Sequence, residues 1–224
     1  MATSKLRLLQ APILNGWKLF LLVTMPVSLV VIVQMFGTNY ATAAGVSTLI
    51  QLSVRFAVPL LYLTFAASSL YILIPNDFSR WLLRNRKYFG LCFASAMAWQ
   101  GFFILWLVGI HTDYYVGQVY VLSDAIEGVA GYTVLLLMTI TSFKFGRKHL
   151  TGKQWRYLHK FGIYYVWAYA WSTYWFAVYY YNSPNSVDFL YYWTGLLAWG
   201  LRAAAWSKQQ VENQLKQNEK LKTI

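Results

Sequence analysis

Apolar segments of about twenty residues recur along the chain and leave few alternatives to a bundle of membrane-spanning helices. Six such segments lie at roughly 17–36, 47–74, 88–110, 121–143, 157–181 and 187–206. About 20 apolar residues are enough for a helix to cross the hydrocarbon of a bilayer. The first segment is longer than the core of a signal peptide, so we expect it to be retained. The sequence therefore predicts an all-α integral membrane protein, a bundle of six transmembrane helices.

The composition agrees with this prediction and excludes most soluble classes. Of the 224 residues, 58% are hydrophobic, and only 7 are acidic against 19 Lys and Arg. A soluble domain could not cover so much apolar surface with so few charges. Nucleic-acid-binding proteins share the strongly basic balance, but their basic residues do not alternate with long apolar runs. The expected partner is therefore the lipid bilayer, and no nucleic-acid partner is expected.

The positions of the basic residues indicate how the helices are oriented. Lys and Arg occur in the N-terminal segment, between spans two and three, between spans four and five, and after span six. None occurs in the loops 37–46, 111–120 and 182–186. Because basic residues concentrate in cytoplasmic loops, both termini are predicted to be cytoplasmic. Residues 1–206 then form a single transmembrane domain, and residues 207–224 form a polar cytoplasmic tail that is predicted to be helical.

Three features of the chain resemble a known family. "RNRKYFGL" leads into span three, "TITSFKFGRKHLTGKQWRYLHK" leads into span five, and Arg55 lies in span two. In this order they resemble the ferric-reductase-like transmembrane superfamily, most closely its MsrQ-type haem-binding membrane subunit of periplasmic methionine sulfoxide reductase systems. The similarity covers residues from about 45 to 206. It implies a multi-pass protein of the bacterial inner membrane, in which histidines on spans three and five hold b-type haem.

The resemblance implies three haem-ligating histidines, of which this sequence retains one. The first is expected ten residues after the glycine of the span-three motif, where Gln100 stands. The second belongs to a Leu-His dipeptide, which His159 matches, and the third is expected thirteen residues later, where Ser172 stands. Haem iron takes His, Met, Cys or Tyr as axial ligands, not an amide or an aliphatic hydroxyl. An outer haem is therefore not expected.

An inner haem at His159 lacks an evident second ligand. The corresponding positions of span three carry Arg86 and Lys87, which have no free lone pair when protonated. No cofactor is therefore expected, with haem b at His159 as the alternative. His159 can instead be an interfacial histidine that hydrogen-bonds a helix end or a lipid phosphate. The rings of Trp99 and Trp171, next to the substituted positions, are expected to fill the volume of the missing outer porphyrin.

Two charges within the spans, Arg55 and Glu127, are expected at similar depth from the outer side. An ion pair between them would relieve the cost of each charge in hydrocarbon. In the haem-binding relatives an arginine at this place could instead serve a haem propionate. Small residues in span three are expected to let a neighbouring helix approach closely. These are Ala94, Ser95, Ala96 and Ala98.

The sequence contains no catalytic constellation, glycine-rich phosphate loop, cysteine pair or metal-ligand cluster. It therefore favours a haem-less protein that keeps a cytochrome scaffold and acts as an accessory or structural subunit of a larger membrane complex. Other membrane-protein subunits are the expected partners, and the chain is not expected to be an enzyme by itself. The alternative is a b-type transmembrane cytochrome that transfers electrons across the membrane to a partner protein. A transporter is less favoured, because no pair of broken helices is evident.

Overall fold

Six long helices make up most of the computed structural model, which describes residues 9–180 and 183–222, with side chains up to residue 219. The helices are α1 (Gly16–Phe36), α2 (Ala43–Leu73), α3 (Asp77–Ile110), α4 (Leu122–Ile140), α5 (Gly152–Tyr179) and α6 (Ser186–Lys222). Short helical turns lie at Pro12–Leu14, Thr112–Tyr114, Tyr115–Val119 and Lys144–Arg147. The described residues contain no strand, so the prediction of an all-α protein is confirmed.

Four of these helices, α1 to α4, are long and apolar enough to cross a membrane. Helices α5 and α6 are also long, but their sequences are more polar. Helix α5 begins in a basic segment and is rich in Tyr and Trp. Helix α6 continues into the polar tail as far as Lys222. Each of the six apolar segments thus corresponds to one long helix, and the first four have the length and composition of a span.

Helices α3 and α5 begin well before the apolar segments that predict them. The side chain of Asn76 accepts a hydrogen bond from the Ser79 amide, and the Ser79 hydroxyl accepts one from the Asn76 amide. Thr151 and Gln154 form the same reciprocal arrangement ahead of α5. Such capping boxes satisfy amides that a helix start otherwise leaves unpaired. The basic residues 80–87 before span three are therefore helical, and so are the basic residues before span five from Gly152 onward.

Helix α2 lies at the centre of the bundle and packs against α1, α3, α5 and α6. Its most extensive interface is with α3. Helix α4 packs on α5 and only loosely on α3. Consequently 56% of the most apolar stretch of α2 is buried, against 6% for α4. Helix α4 therefore has no fully buried residue, although Val134, Leu135 and Met138 pack against the core.

The small residues of α3 pack against α2, where Ala96 is buried, but they do not bring α4 close. An open groove of about 320 Å³ separates the two helices. Its α3 wall is formed by Leu91, Ala94, Ser95 and Ala98. Tyr132 of α4 bridges the gap, because its hydroxyl donates to Oε1 of Gln100 at 2.9 Å. Alanine and serine would permit the two helices to approach closely. The larger tyrosine side chain between them keeps the helices further apart, so the groove stays open.

A buried asparagine joins the start of α1 to α3. Asn85 is 1% exposed, and its Oδ1 accepts the amide hydrogen of Gly16 at 3.0 Å. Its Nδ2 donates to Oδ1 of Asn15 at 3.0 Å and to the carbonyl of Trp81 at 3.1 Å. Gly16 has a φ of +67°, in the left-handed region that favours glycine. The entry into α1 is thus held by hydrogen bonds to one buried side chain.

Candidate binding site at the basic end of the bundle

A cavity of about 530 Å³ opens where α3 and α5 begin and where α6 leaves the apolar core. Residues of α2, α3, α4, α5 and α6 line it, and no acidic residue is among them. The cationic lining residues are Arg86, Lys87, Arg156, Lys160 and Arg202, and His159 adds an imidazole. We call this space the basic cavity. It collects six basic side chains from three different helices.

Two arginines reach the basic cavity without a carboxylate partner. The guanidinium carbon of Arg202 lies 4.4 Å from the ring centroids of both Phe65 and Tyr164. Its Nη1 is buried and has no hydrogen-bond partner among the described residues. Arg86 is half-buried and close enough to Arg202 for their positive charges to repel. Cation–π contacts stabilise a guanidinium, but they do not satisfy its N–H groups, so Arg202 retains unused donor capacity.

His159 lies in the wall of the cavity and is tied to the end of α4. Its Nε2 is 3.0 Å from Oγ1 of Thr141, and its ring centroid is 4.3 Å from that of Trp155. The Trp155 indole N–H donates to the carbonyl of Thr141 at 3.1 Å. Thr141 is the residue that caps the end of α4. His159 is thus held by the side chain of the residue that ends α4, while an interfacial position for it stays a prediction.

Gln100 and Ser172, at two of the positions where haem-ligating histidines were expected, are engaged with neighbours other than each other. Oε1 of Gln100 accepts the hydroxyl of Tyr132 on α4. The Ser172 hydroxyl donates to the carbonyl of Tyr169, within its own helix, at 2.9 Å. Neither side chain carries an atom that serves as an axial ligand of haem iron. The residues at this level therefore do not fit a haem.

The structure places Trp99 and Trp171 away from the expected outer haem position. The Trp99 indole N–H donates to the Ser28 hydroxyl of α1 at 3.1 Å. The Trp171 indole N–H donates to the carbonyl of Tyr192 in α6 at 3.2 Å, and the two rings stack at 5.6 Å. The expectation that either indole fills the volume between spans three and five is not met. Each ring turns instead to the neighbouring helix that offers its N–H an acceptor.

Arg55 and Glu127 do not form the expected ion pair. Both residues are exposed, and no ion pair joins them within the described residues. Tyr191 of α6 donates its hydroxyl to the Arg55 carbonyl at 2.7 Å, and Tyr165 of α5 donates to the Glu127 carbonyl at 2.9 Å. Their helices, α2 and α4, form no extensive interface, and α3 and α5 each pack against both. Similar depth therefore does not bring the two charges together.

Sequence reasoning misses the role of the cavity arginines. It assigns Arg202 to membrane orientation alone, although Arg202 falls inside the predicted span 187–206, and it treats Arg86 only as a basic residue that cannot ligate an inner haem. A cation within a span is by default a candidate functional residue, and this signal could have identified Arg202. No local pattern indicates that positions so far apart in the chain line one cavity.

The site contains no recognisable metal centre. No group of three or more His, Cys, Asp or Glu that could hold a metal ion occurs in residues 9–180 and 183–222. In comparisons with known proteins, no family model, no curated protein and no solved structure matches the chain.

Proposed function

We propose that this chain is a haem-less, ferric-reductase-like membrane protein that acts as an accessory or structural subunit of a larger membrane complex. The observation that supports this proposal is which side chains stand at the three expected haem-ligand positions and what they contact. Gln100 and Ser172 lack a donor for iron and are hydrogen-bonded elsewhere, and Nε2 of His159 is engaged with Thr141. None of these three positions therefore supplies the pair of axial donors that a six-coordinate electron-carrying haem needs.

The proposal includes six spans in a bacterial inner membrane, with α5 and α6 as the fifth and sixth and both termini cytoplasmic. The grouping of charges supports it. Cations from α3, α5 and α6 meet at the basic cavity. At the opposite end, Nε2 of His111 lies 2.9 Å from the Tyr40 carbonyl, which ties together two loops without Lys or Arg. This separation of charge between the two ends is the pattern of a protein with a cytoplasmic basic side.

Cysteine labelling tests this orientation. The native Cys92 is 1% exposed, so it should not react with a maleimide itself. Cys92→Ser is used as the background, so that each variant carries a single cysteine. Gln118→Cys and Pro184→Cys, at exposed sites, are expected to react with an impermeant maleimide in intact cells. Lys148→Cys, at an exposed site of the basic end, is expected to react only after permeabilisation. Labelling of Lys148→Cys in intact cells would contradict the orientation.

An accessory role needs a surface for a partner, and α4 offers one. Its most apolar stretch is only 6% buried. The large apolar side chains that it exposes are Leu122, Ile126, Val129, Leu136 and Leu137. We propose that another membrane subunit covers part of this face.

A second candidate function is that of a b-type transmembrane cytochrome. The observation in its favour is that His159 lines a cavity of about 530 Å³ whose cations could pair with carboxylates. A single histidine can hold a five-coordinate haem. The visible absorption spectrum of the purified protein distinguishes the two candidate functions.

Purification of the full-length chain from haem-replete cells in a mild detergent tests the proposed function. We expect no Soret band, and we expect a photo-crosslinker at Val129 of α4 to capture a defined membrane protein. The same probe at Val134, which packs against the core, is the matched control and should capture little. A stoichiometric b-type spectrum that is lost on His159→Ala would favour the cytochrome. A monomer with no captured protein at Val129 would contradict the subunit role.

A further inference from the structure

We propose that the basic cavity binds the phosphate headgroup of an anionic phospholipid and that the groove between α3 and α4 holds one of its acyl chains. This inference rests on the membrane location in the proposed function but not on the absence of haem. It names a binding site and the chemical class of its ligand.

The charges of the cavity favour an anion. Five cations line it, of which Arg86 and Arg202 are half-buried and the other three are exposed, and no acidic residue is among the lining residues. The buried Nη1 of Arg202 has no partner among the described residues, and half-buried Arg86 repels it. An unpaired buried donor or charge is costly. A phosphate group relieves this cost, because its oxygens accept paired hydrogen bonds from a guanidinium.

The rest of the cavity wall requires an apolar group on the same ligand. The apolar lining residues are Leu91, Phe93, Leu135, Met138, Ile163 and Val166. Free phosphate would leave this surface uncovered and would itself be stripped of water against it. A molecule with an anionic head and an apolar body satisfies both parts of the wall, as binding pockets with a few placed polar groups generally do.

The groove between α3 and α4 continues from the cavity and supplies a place for the apolar body. The cavity and the groove share Leu91, Leu135 and Thr139. From these residues the groove runs past Ala94, Ser95 and Ala98 to Tyr132. The small side chains of α3 leave the space, and the tyrosine keeps α4 away. A flexible acyl chain can follow a groove of about 320 Å³ that is lined by small and apolar side chains.

The level of the cavity matches the level of lipid phosphates. Its cations belong to the beginnings of α3 and α5 and to the end of the apolar part of α6. In the proposed topology this is the cytoplasmic interface, where basic pockets between helices bind anionic headgroups. A phosphate near Arg86 and Arg202, with its chain running along α3 towards Tyr132, has the orientation of a lipid in that leaflet.

Native mass spectrometry of the delipidated full-length protein in detergent tests the inference with three probes. These are dioleoylphosphatidylglycerol, dioleoylphosphatidylcholine and inorganic phosphate. We expect one phosphatidylglycerol to bind about tenfold more tightly than phosphatidylcholine, and phosphate alone not to displace it. Arg86→Gln with Arg202→Gln should weaken phosphatidylglycerol binding about tenfold or more. Arg80→Gln, which removes an exposed charge outside the cavity on the same helix, should leave it unchanged.

A groove variant keeps the test decisive if the arginine variant does not fold. Ala98→Leu fills the groove and retains every cation, so it should weaken phosphatidylglycerol binding, whereas Ala168→Leu, at an exposed site outside the cavity and groove, should not. Equal binding of the two lipids, complete competition by inorganic phosphate, or equal losses for Ala98→Leu and Ala168→Leu would overturn the inference. Displacement of phosphatidylglycerol from the basic cavity by haem would also overturn the inference. Failure of lipid binding without a Soret band leaves the proposed function standing, whereas a Soret band contradicts the proposed function itself.

Discussion

Gly195→Ala is expected to destabilise the protein by about 2 kcal/mol or more, because it overpacks the junction of α2, α5 and α6. An added Cβ would lie 2.5 Å from Oη of Tyr62 and 2.8 Å from Cδ1 of Trp171. Neither ring can easily yield. Tyr62 is buried, and Trp171 is stacked on Trp167 and Tyr192. The measurement is the midpoint of thermal unfolding in detergent, which should fall by roughly 4–8 °C.

The same helix provides a matched control, because nothing lies within 4 Å of a Cβ built at Gly200. Gly200→Ala should keep or slightly raise the midpoint, since alanine favours a helix over glycine. Tyr62→Phe should partly rescue Gly195→Ala, because it removes the nearest atom, a hydroxyl that has no partner among the described residues. Equal midpoints for Gly195→Ala and Gly200→Ala would refute the close approach of these helices.

The number and type of the helices follow from local sequence, so they could be predicted. Apolar length and the absence of strand patterns are properties of contiguous residues, and each apolar segment became one helix. The early start of α5 was also accessible, because Thr151 and Gln154 have the spacing of a capping box. These features need no knowledge of which helices are neighbours.

Contacts between helices could not be predicted, because depth along a helix does not specify direction around it. Arg55 and Glu127 have similar depth, yet their helices share no extensive interface. Trp99 and Trp171 stand beside the expected ligand positions but turn to α1 and α6. The helical period can locate an apolar face, but these helices are apolar on most sides, so the sequence does not identify the neighbour.

The basic cavity escaped prediction for a related reason. Counting charges at one end of a bundle explains orientation, but it does not reveal whether each charge has a partner. Arg86 and Arg202 become distinctive only in three dimensions, where they meet without a carboxylate. The groove is equally hidden, since small residues such as Ala94 and Ala98 favour close packing in general. Here Tyr132 overrides that tendency.

The second large effect is expected at Asn85. Asn85→Leu keeps the volume of the side chain but removes three hydrogen bonds, to the Gly16 amide, the Asn15 side chain and the Trp81 carbonyl. The Gly16 N–H would then lose its acceptor in a half-buried site, and the start of α1 would lose its tie to α3. An unsatisfied buried group costs about 1–3 kcal/mol, so we expect a loss of about 3 kcal/mol in unfolding free energy.

The exposed member of the same hydrogen-bond network is the control for Asn85. Arg84 donates to Oδ1 of Asn15 at 2.8 Å, but it is exposed, so Arg84→Gln should change the unfolding free energy by no more than about 0.5 kcal/mol. The N-terminal junction should also loosen specifically, which protease cleavage near residue 15 can report. We expect Asn85→Leu to be cleaved there at low protease concentration while Arg84→Gln and the unaltered protein resist. If Asn85→Leu unfolds at the same temperature as Arg84→Gln, the buried asparagine does not anchor α1, because water or a new contact must then satisfy Gly16.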